Sequence, residues 1–217
     1  AVLDRLADAD LVIPQNVFAR PMPWHATWDT ARSLINRSVG HDYPGTLGVR
    51  RGALPTGYDG DVLFENLELI RTIRAAGGRV IDAPDVFVTR LAPTTATFLA
   101  QRVRQAYDDL AQPARLVASL LVVPGVAVAA RRRRWGGLGA AAAMAVGVAE
   151  LGRRRGHGVR AFPASASLLA PAWVLERGVC SWLAVGSRVL RGGIRYRGVT
   201  IRRAATPARR LRARAAA

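Results

Sequence analysis

The sequence predicts an α/β domain followed by an α-helical, membrane-associated region, and three observations carry that reading. Over residues 1–113, helix-period and strand-period segments alternate, as they do in α/β folds. Over residues 114–190, three apolar runs follow one another, each bordered by arginine. The charge divides at the same place. Residues 1–113 hold 12 arginines against 13 acids, and residues 114–217 hold 20 against 2. The net charge of +17 therefore belongs to the second half of the 217-residue chain.

The elements follow in order. Val2, Leu3 and Leu6 have helical spacing in AVLDRLAD, and Asp10 leads into LVIP, a short buried strand. PMPWHATWDTARSLINRS (21–38) opens with proline punctuation and repeats apolar residues at Trp24, Trp28, Ala31, Leu34 and Ile35, which predicts an amphipathic helix. YPGTLGVRR (43–51) reads as a glycine-rich strand and TGYDGD (56–61) as a loop. Residues 64–76 predict a helix that stops at Gly77-Gly78. RVIDAPDVFVTR then supplies two short strands around Pro84 and ends in an arginine, and Pro93 lies near the first turn of the helix TTATFLAQRVRQAYDDL.

After Pro113 the character changes. LVASLLVVPGVAVAA (116–130) is 15 residues without a charge, and RRRR (131–134) follows it. WGGLGAAAAMAVGVAELG (135–152) leads to RRRGHGVR. The third run, 162–190, is apolar apart from Glu176, Arg177 and Arg188. A full crossing needs about 20 apolar residues; the first run is short and contains Pro124, the second is marginal and the third carries Glu176-Arg177, so each alone also suits a buried helix. Three in succession, each bordered by arginine, imply membrane association; the alternative is a soluble helical bundle with solvated arginine caps. If all three crossed, the two arginine loops would lie on opposite sides and one would break the positive-inside tendency; a membrane-embedded hairpin or an in-plane segment relieves this. The tail 191–217 is basic throughout; within it IRYRGVTIRR (194–203) alternates apolar and basic residues and is expected on anionic headgroups at the cytoplasmic face. The expected divisions are 1–113, 114–190 and 191–217. Nucleic acid is a poor partner, because nucleic-acid surfaces need basic residues among polar or aromatic neighbours, whereas these arginines bracket uncharged runs of 15 residues and more, which favours lipid.

The single cysteine, Cys180, excludes an internal disulfide. The first ten residues carry acids where a secretory leader has a basic region. With no initiating methionine, the chain is expected to begin within a longer protein.

The ordered set GTLGVRR, YDG, LFENLELIRTIRAAGGRVIDAPDVFVTR and FLAQRVRQAY resembles the second half of a family 2 glycosyltransferase, over about residues 1–113. The nearer likeness is to the membrane-bound, ceramide-glucosyltransferase-like or hopanoid-associated branch. The resemblance implies part of a GT-A, Rossmann-like domain. It implies inverting transfer of a sugar from a nucleotide-sugar donor to a lipid or polysaccharide acceptor, at the bacterial cytoplasmic membrane with the catalytic part facing the cytoplasm. The nucleotide-binding half would lie upstream, so this portion alone is expected to be inactive.

The same resemblance implies the site. The Glu-Asp motif of the family falls on Glu65-Asn66, with Asp61 just before it. The family's base is the second residue, and Asn66 cannot take a proton. The role passes to Glu65, to Asp59, Asp61 or Glu68, or to a different means of activating the acceptor. Without the flanking motifs, acids here simply suit the positive end of a helix dipole. The family's Gln-x-x-Arg-Trp falls on Gln101 to Gln105, so Gln101 and Arg104 would bind the donor diphosphate while Gln105 replaces the stacking tryptophan. Tyr107 lies on a neighbouring face. The competing reading makes Arg102 and Arg104 a basic stripe facing lipid phosphates. Trp24, with His25 and Trp28, and Asp42, with His41, are the acceptor-side candidates, although aromatics at that spacing also suit a core. A Mg²⁺ or Mn²⁺ ion is implied for the full enzyme, with its main ligands upstream. Asp8-Ala9-Asp10 imitates the family's metal motif but precedes its strand. The alternative to an enzyme is a non-catalytic basic membrane-binding or scaffold protein.

Overall fold

The structure, a computed structural model, describes residues 1–40, 42, 45–54, 57–196 and 198–215. It is mixed α/β and largely helical, with a small mixed sheet. Strand β1 (Leu11–Phe18) is central, antiparallel to the two-residue β2 (Gly48–Val49) and parallel to β3 (Val80–Arg90). Helix α1 is Val2–Leu6, α2 is Trp24–Val39, α3 is Glu65–Ala75 and α4 is Thr95–Tyr107.

Two expectations change here. The segment 79–90 forms one strand instead of two. Pro14 pairs with Ala83 and Gln15 with Phe87, so residues 84–86 bulge out of the ladder. A proline removes a ladder donor, and the bulge absorbs it without ending the strand. The expected glycine-rich strand 43–51 narrows to Gly48–Val49, with Tyr43 and Pro44 outside the described residues.

Beyond a short 3₁₀ turn at Asp108–Ala111, α5 (Pro113–Arg131) and α6 (Trp135–Arg154) form a helical pair joined by the arginines at 132–134. By length and composition both are long and apolar enough to cross a membrane. Helix α5 contains no buried residue. One side of α5 packs on α6 and on the later helix Ala170–Arg191, while Val117, Leu121, Val126 and Val128 are exposed; such an apolar outer face is suited to lipid, because water would solvate it at high cost. The foot of α6 is fixed to α2. A Cβ on Gly152 would lie 1.8 Å from the Leu34 carbonyl oxygen, so only glycine permits that approach. Beside it Arg37 is fully buried. It donates to the carbonyls of Gly152 and Pro84 at 3.1 Å each and to Gln15 at 2.8 Å, and it stacks on Phe162.

The third apolar run does not resemble the other two. It breaks into α7 (Ala164–Leu168) and α8 (Ala170–Arg191). Helix α8 is amphipathic and packs on α4 and α5, with Trp173, Arg177, Cys180 and Ala184 inward. Its inward charges, Glu176 and Arg177, meet partners in the α/β half, which explains their place in an apolar run. Leu175, Val179, Trp182 and Leu183 remain outward.

The tail folds back on the α/β half. Strands β4 (Ile194–Tyr196) and β5 (Val199–Ile201) form a hairpin, and α9 (Ala208–Ala215) packs on α3. Between them the Leu63 and Phe64 amides donate to the Arg203 and Ala204 carbonyls at 2.9 and 2.8 Å. The Thr206 amide donates to Oε2 of the fully buried Glu68 at 2.6 Å. The tail is therefore strapped to the head of α3, while Arg202, Arg203, Arg209 and Arg210 stay exposed.

Candidate active site

The head of α3, the end of β3, the last turns of α4 and the middle of α8 converge on one cavity of about 280 Å³. Glu65, Asn66, Arg90, Arg104, Gln105 and Asp108 line it, and Arg32, Arg177, Leu63, Phe64 and Gly45 complete the wall. Local structure explains each placement. Glu65 opens α3 and lies exposed where the first-turn amides favour an anion. Arg104 and Asp108 are one helical turn apart, so they share a face. Arg90 ends the longest strand and stacks 4.1 Å over the Phe18 ring.

An ion network supports the cavity. Arg32 bonds Asp29 at 3.2 Å and Asp42 at 2.6 Å. Arg102 bonds Asp29 at 3.0 Å and Glu176 at 2.6 Å, and Trp28 donates to Glu176 at 2.5 Å. Burial alone would raise the Asp29 carboxyl; Arg32, Arg102 and Arg90 outweigh it and hold it well below the usual carboxylate range. Asp42 shows the same contest, with burial overcome by Arg32 and by hydrogen bonds from Ser33 and Asn36. Asp109, fully buried, takes Arg177 at 2.7 Å and Arg115 at 3.2 Å.

These pairings divide the cavity's arginines into two kinds. Arg32 and Arg177 are neutralised by buried acids. Arg104 makes no hydrogen bond or ion pair among the described residues and lies 4.4 Å over the Tyr196 ring. Arg90 reaches Asp29 at only 3.3 Å, and its Nε has no partner. Burial, with Arg32 nearby, depresses the Arg90 pKa, though a guanidinium remains charged. Two cations thus keep donors in hand for an anion.

The carboxyls divide as well. Among the described residues, Glu65 and Asp108 are the acids that line the cavity. Asp61 is exposed and outside it, its amide bonded to Asp59, and Asp59 pairs with Arg203 at 3.0 Å. Glu68 is occupied by Thr206. Asp108 is half-buried, with Oδ1 withdrawn from solvent and lacking a hydrogen-bond partner. Burial pushes its carboxyl up to about 7 against the pull of Arg177 and Arg104, and Asp109 adds to the rise.

Several sequence candidates fall elsewhere. Gln101 lines a small adjoining cavity of about 40 Å³ that shares Arg90 and Gln105 with the larger one. Asp42 faces inward, bonded to Arg32, Ser33 and Asn36, so the acceptor-facing position expected for it is not what its geometry shows. Its partner in that expectation, His41, lies outside the described residues. Trp24 is 57% exposed beside Trp28 and Phe98 and lines neither cavity. Arg102 is buried, not part of a lipid-facing stripe. Tyr107 is buried too, donating to the Arg202 carbonyl at 2.8 Å, and offers no stacking surface. Asp10 accepts from the Arg79 amide at 2.8 Å.

Asp108, Arg32 and Arg177 were not singled out as site residues by the sequence. One signal did exist for Asp108. Adjacent acids at a helix C-terminus oppose the dipole and need a reason. Asp109 has one in Arg177 and Arg115, and Asp108 does not.

The cavity does not suit a divalent cation. It sets two carboxyls against four guanidinium groups, whereas Mg²⁺ and Mn²⁺ bind to clustered oxygen ligands. No group of three or more metal-ligating side chains occurs among the described residues.

Two further cavities adjoin. One, about 430 Å³, lies between α2, α5 and α8 and shares Arg177 with the polar cavity. The other, about 760 Å³ and mainly apolar, lies among α5, α6 and α8 and shares Ile35, Val122 and Val174 with the second. Polar, mixed and apolar spaces therefore adjoin through shared walls. Comparison with known protein families, with curated proteins and with solved structures found no match for this chain.

Proposed function

We propose that the chain is the acceptor-side portion of a membrane-bound inverting glycosyltransferase, which moves a sugar from a nucleotide-diphosphate donor to the hydroxyl of a lipid acceptor. One observation carries this reading. Glu65-Asn66 and Arg104, chosen from two separate segments of the sequence, line a single cavity with Arg90 and Asp108.

The chemistry requires three things of such a cavity. A carboxylate takes the hydroxyl proton. Cations stabilise the diphosphate as it leaves; Arg104 and Arg90 have free donors for this, and guanidinium groups suit phosphate oxygens in pairs. The acceptor must reach the carboxylate from its own medium. The adjoining mixed and apolar cavities favour a lipid over a polysaccharide, because a hydrocarbon chain suits the apolar space among α5, α6 and α8, which shares walls with the mixed cavity, as that cavity does with the polar one. A resident Mg²⁺ or Mn²⁺ would help neutralise the diphosphate, and its ligands are expected upstream of residue 1.

In this reading α5 and α6 are a membrane hairpin about 28 Å long at 1.5 Å per residue. The α/β half, with the arginines at 153–155 and in the tail, faces the cytoplasm, which the positive-inside tendency favours by number. The partial GT-A assignment belongs to the same proposal. A non-catalytic basic scaffold would leave unexplained why Glu65 and Asp108 face two incompletely paired arginines.

The test uses the complete protein in native membranes with a panel of radiolabelled nucleotide sugars and Mg²⁺ or Mn²⁺. Label is expected in an organic-solvent-extractable fraction, and Arg104→Ala should abolish most of it while leaving the protein folded. Transfer from no donor would overturn the enzyme reading. Label confined to an insoluble polymer would overturn the lipid acceptor.

A further inference from the structure

We propose that Asp108 is the proton acceptor of this cavity, the group that takes the hydrogen from the acceptor hydroxyl; the inference rests on the glycosyltransferase reading above. The alternatives are each otherwise engaged. Asn66 has no basic atom. Asp61 lies outside the cavity, Asp59 is paired with Arg203, and Glu68 holds the Thr206 amide. Glu65 lines the cavity, but it is exposed to solvent at the first turn of α3.

Asp108 differs in every respect. It is at the opposite, electronegative end of a helix. Its Oδ1 is withdrawn from water and bonded to nothing among the described residues. Its sequence neighbour Asp109 occupies Arg177 and Arg115, which leaves Arg104, one turn away on the same face, as the neighbouring cation without an ion pair of its own among the described residues. The groups that face it are Arg104 from α4, Arg177 from α8, Arg115 from α5, and, around the cavity, Glu65 from α3, Arg32 from α2 and Arg90 from β3. Burial prevails over the cations and brings its carboxyl to about 7, close to the pH at which a general base is most effective.

The step balances without another reagent. The hydroxyl O–H bond breaks and its proton passes to a carboxylate oxygen of Asp108. The hydroxyl oxygen forms a bond to the anomeric carbon of the donor sugar. The bond from that carbon to the diphosphate oxygen breaks, and the diphosphate leaves with the electron pair beside Arg104 and Arg90. Nothing is oxidised or reduced.

The experiment measures the rate of sugar transfer by the complete protein from about pH 5.5 to 8.5, for the wild type, Asp108→Asn, Asp108→Glu and Glu65→Gln. The wild-type kcat is expected to rise with pH and level off near neutrality. Asp108→Asn should lower kcat by about 10²–10⁴-fold with little change in donor KM, and it should lose the rising limb. Asp108→Glu should recover part of the rate with a displaced limb, which shows that the carboxyl and not the fold is at issue. Glu65→Gln should keep the limb. Asp108→Asn that retains both rate and limb, or a limb that disappears with Glu65→Gln instead, overturns the assignment while the enzyme reading stands. A wild type that transfers nothing is a different result, and it sinks the enzyme reading and this role together.

Discussion

Arg102 and Glu176 meet through Nε and Oε1 at 2.6 Å, with a second bond from Nη2 to Oε2 at 3.1 Å. This buried fork joins α4 of the α/β half to α8. Arg102 is 7% exposed as a side chain and Glu176 22%. Removing one partner of such a pair strands the other charge, at a cost of about 3–5 kcal/mol. Arg102→Ala is expected to destabilise by that order. The double variant Arg102→Ala/Glu176→Ala should cost less than the sum of the two single changes, as chemical unfolding in detergent would show.

Arg104 and Arg90 carry the anion prediction. A hydrogen bond to a charged group contributes about 1.5–3 kcal/mol. Arg104→Ala should therefore weaken nucleoside-diphosphate binding to the complete protein roughly 10- to 100-fold by calorimetry. Arg104→Lys should recover little, because a point charge does not reproduce a paired guanidinium contact. Gln101→Ala, in the adjoining cavity, should change diphosphate affinity less than Arg104→Ala.

The Glu68–Thr206 contact predicts a change in protease sensitivity. Glu68→Ala removes the acceptor of a buried amide and should cost about 1–3 kcal/mol. Residues 203–206 would then leave the head of α3, and trypsin should cleave at Arg203 and Arg209 faster than in the wild type. Unchanged cleavage would show that the Leu63 and Phe64 amides, with Arg71 donating to the Thr206 carbonyl at 3.0 Å, hold the strap without Glu68.

Stability should depend on pH through groups of opposite sign. The folded-state pKa of Asp29 and Asp42 is lowered, so their contribution is complete above the ordinary carboxylate range and is lost as pH falls below about 4. Asp108 is raised to about 7. The folded state then binds a proton that the unfolded state has released, and stability declines as pH rises from about 4 to about 7. Asp108→Asn removes that decline. Its melting temperature should exceed the wild type's at about pH 8 by more than at about pH 5. Parallel melting curves across this range would contradict a raised Asp108.

The sequence made some of this legible and hid the rest for physical reasons. Helices α2, α3 and α4 were readable because their apolar residues repeat with helical period between proline and glycine signals. Strand β3 read as two because Pro84 normally ends a ladder, and a bulge depends on the partner strand, which local sequence does not reveal. Helix α8 read as an ambiguous crossing because Glu176 and Arg177 find Arg102 and Asp109 only through tertiary contact. Glu65 and Arg104 were visible through motif order. Asp108 was hidden because an acid beside another acid looks like a solvated helix end, and only the packing of α8 shows that one of the two is left over.

The strap across α3 has a consequence for the order of assembly. Leu63 and Phe64, both in the cavity wall, receive their backbone partners from residues 203 and 204. Those residues leave the ribosome only after α5, α6 and α8 have been made. The cavity therefore acquires its finished shape after the apolar hairpin is available for insertion, so a chain stalled anywhere before residue 203 would have its arginines and carboxyls but an open wall. Completion of the site is in this way tied to completion of the helices beside it.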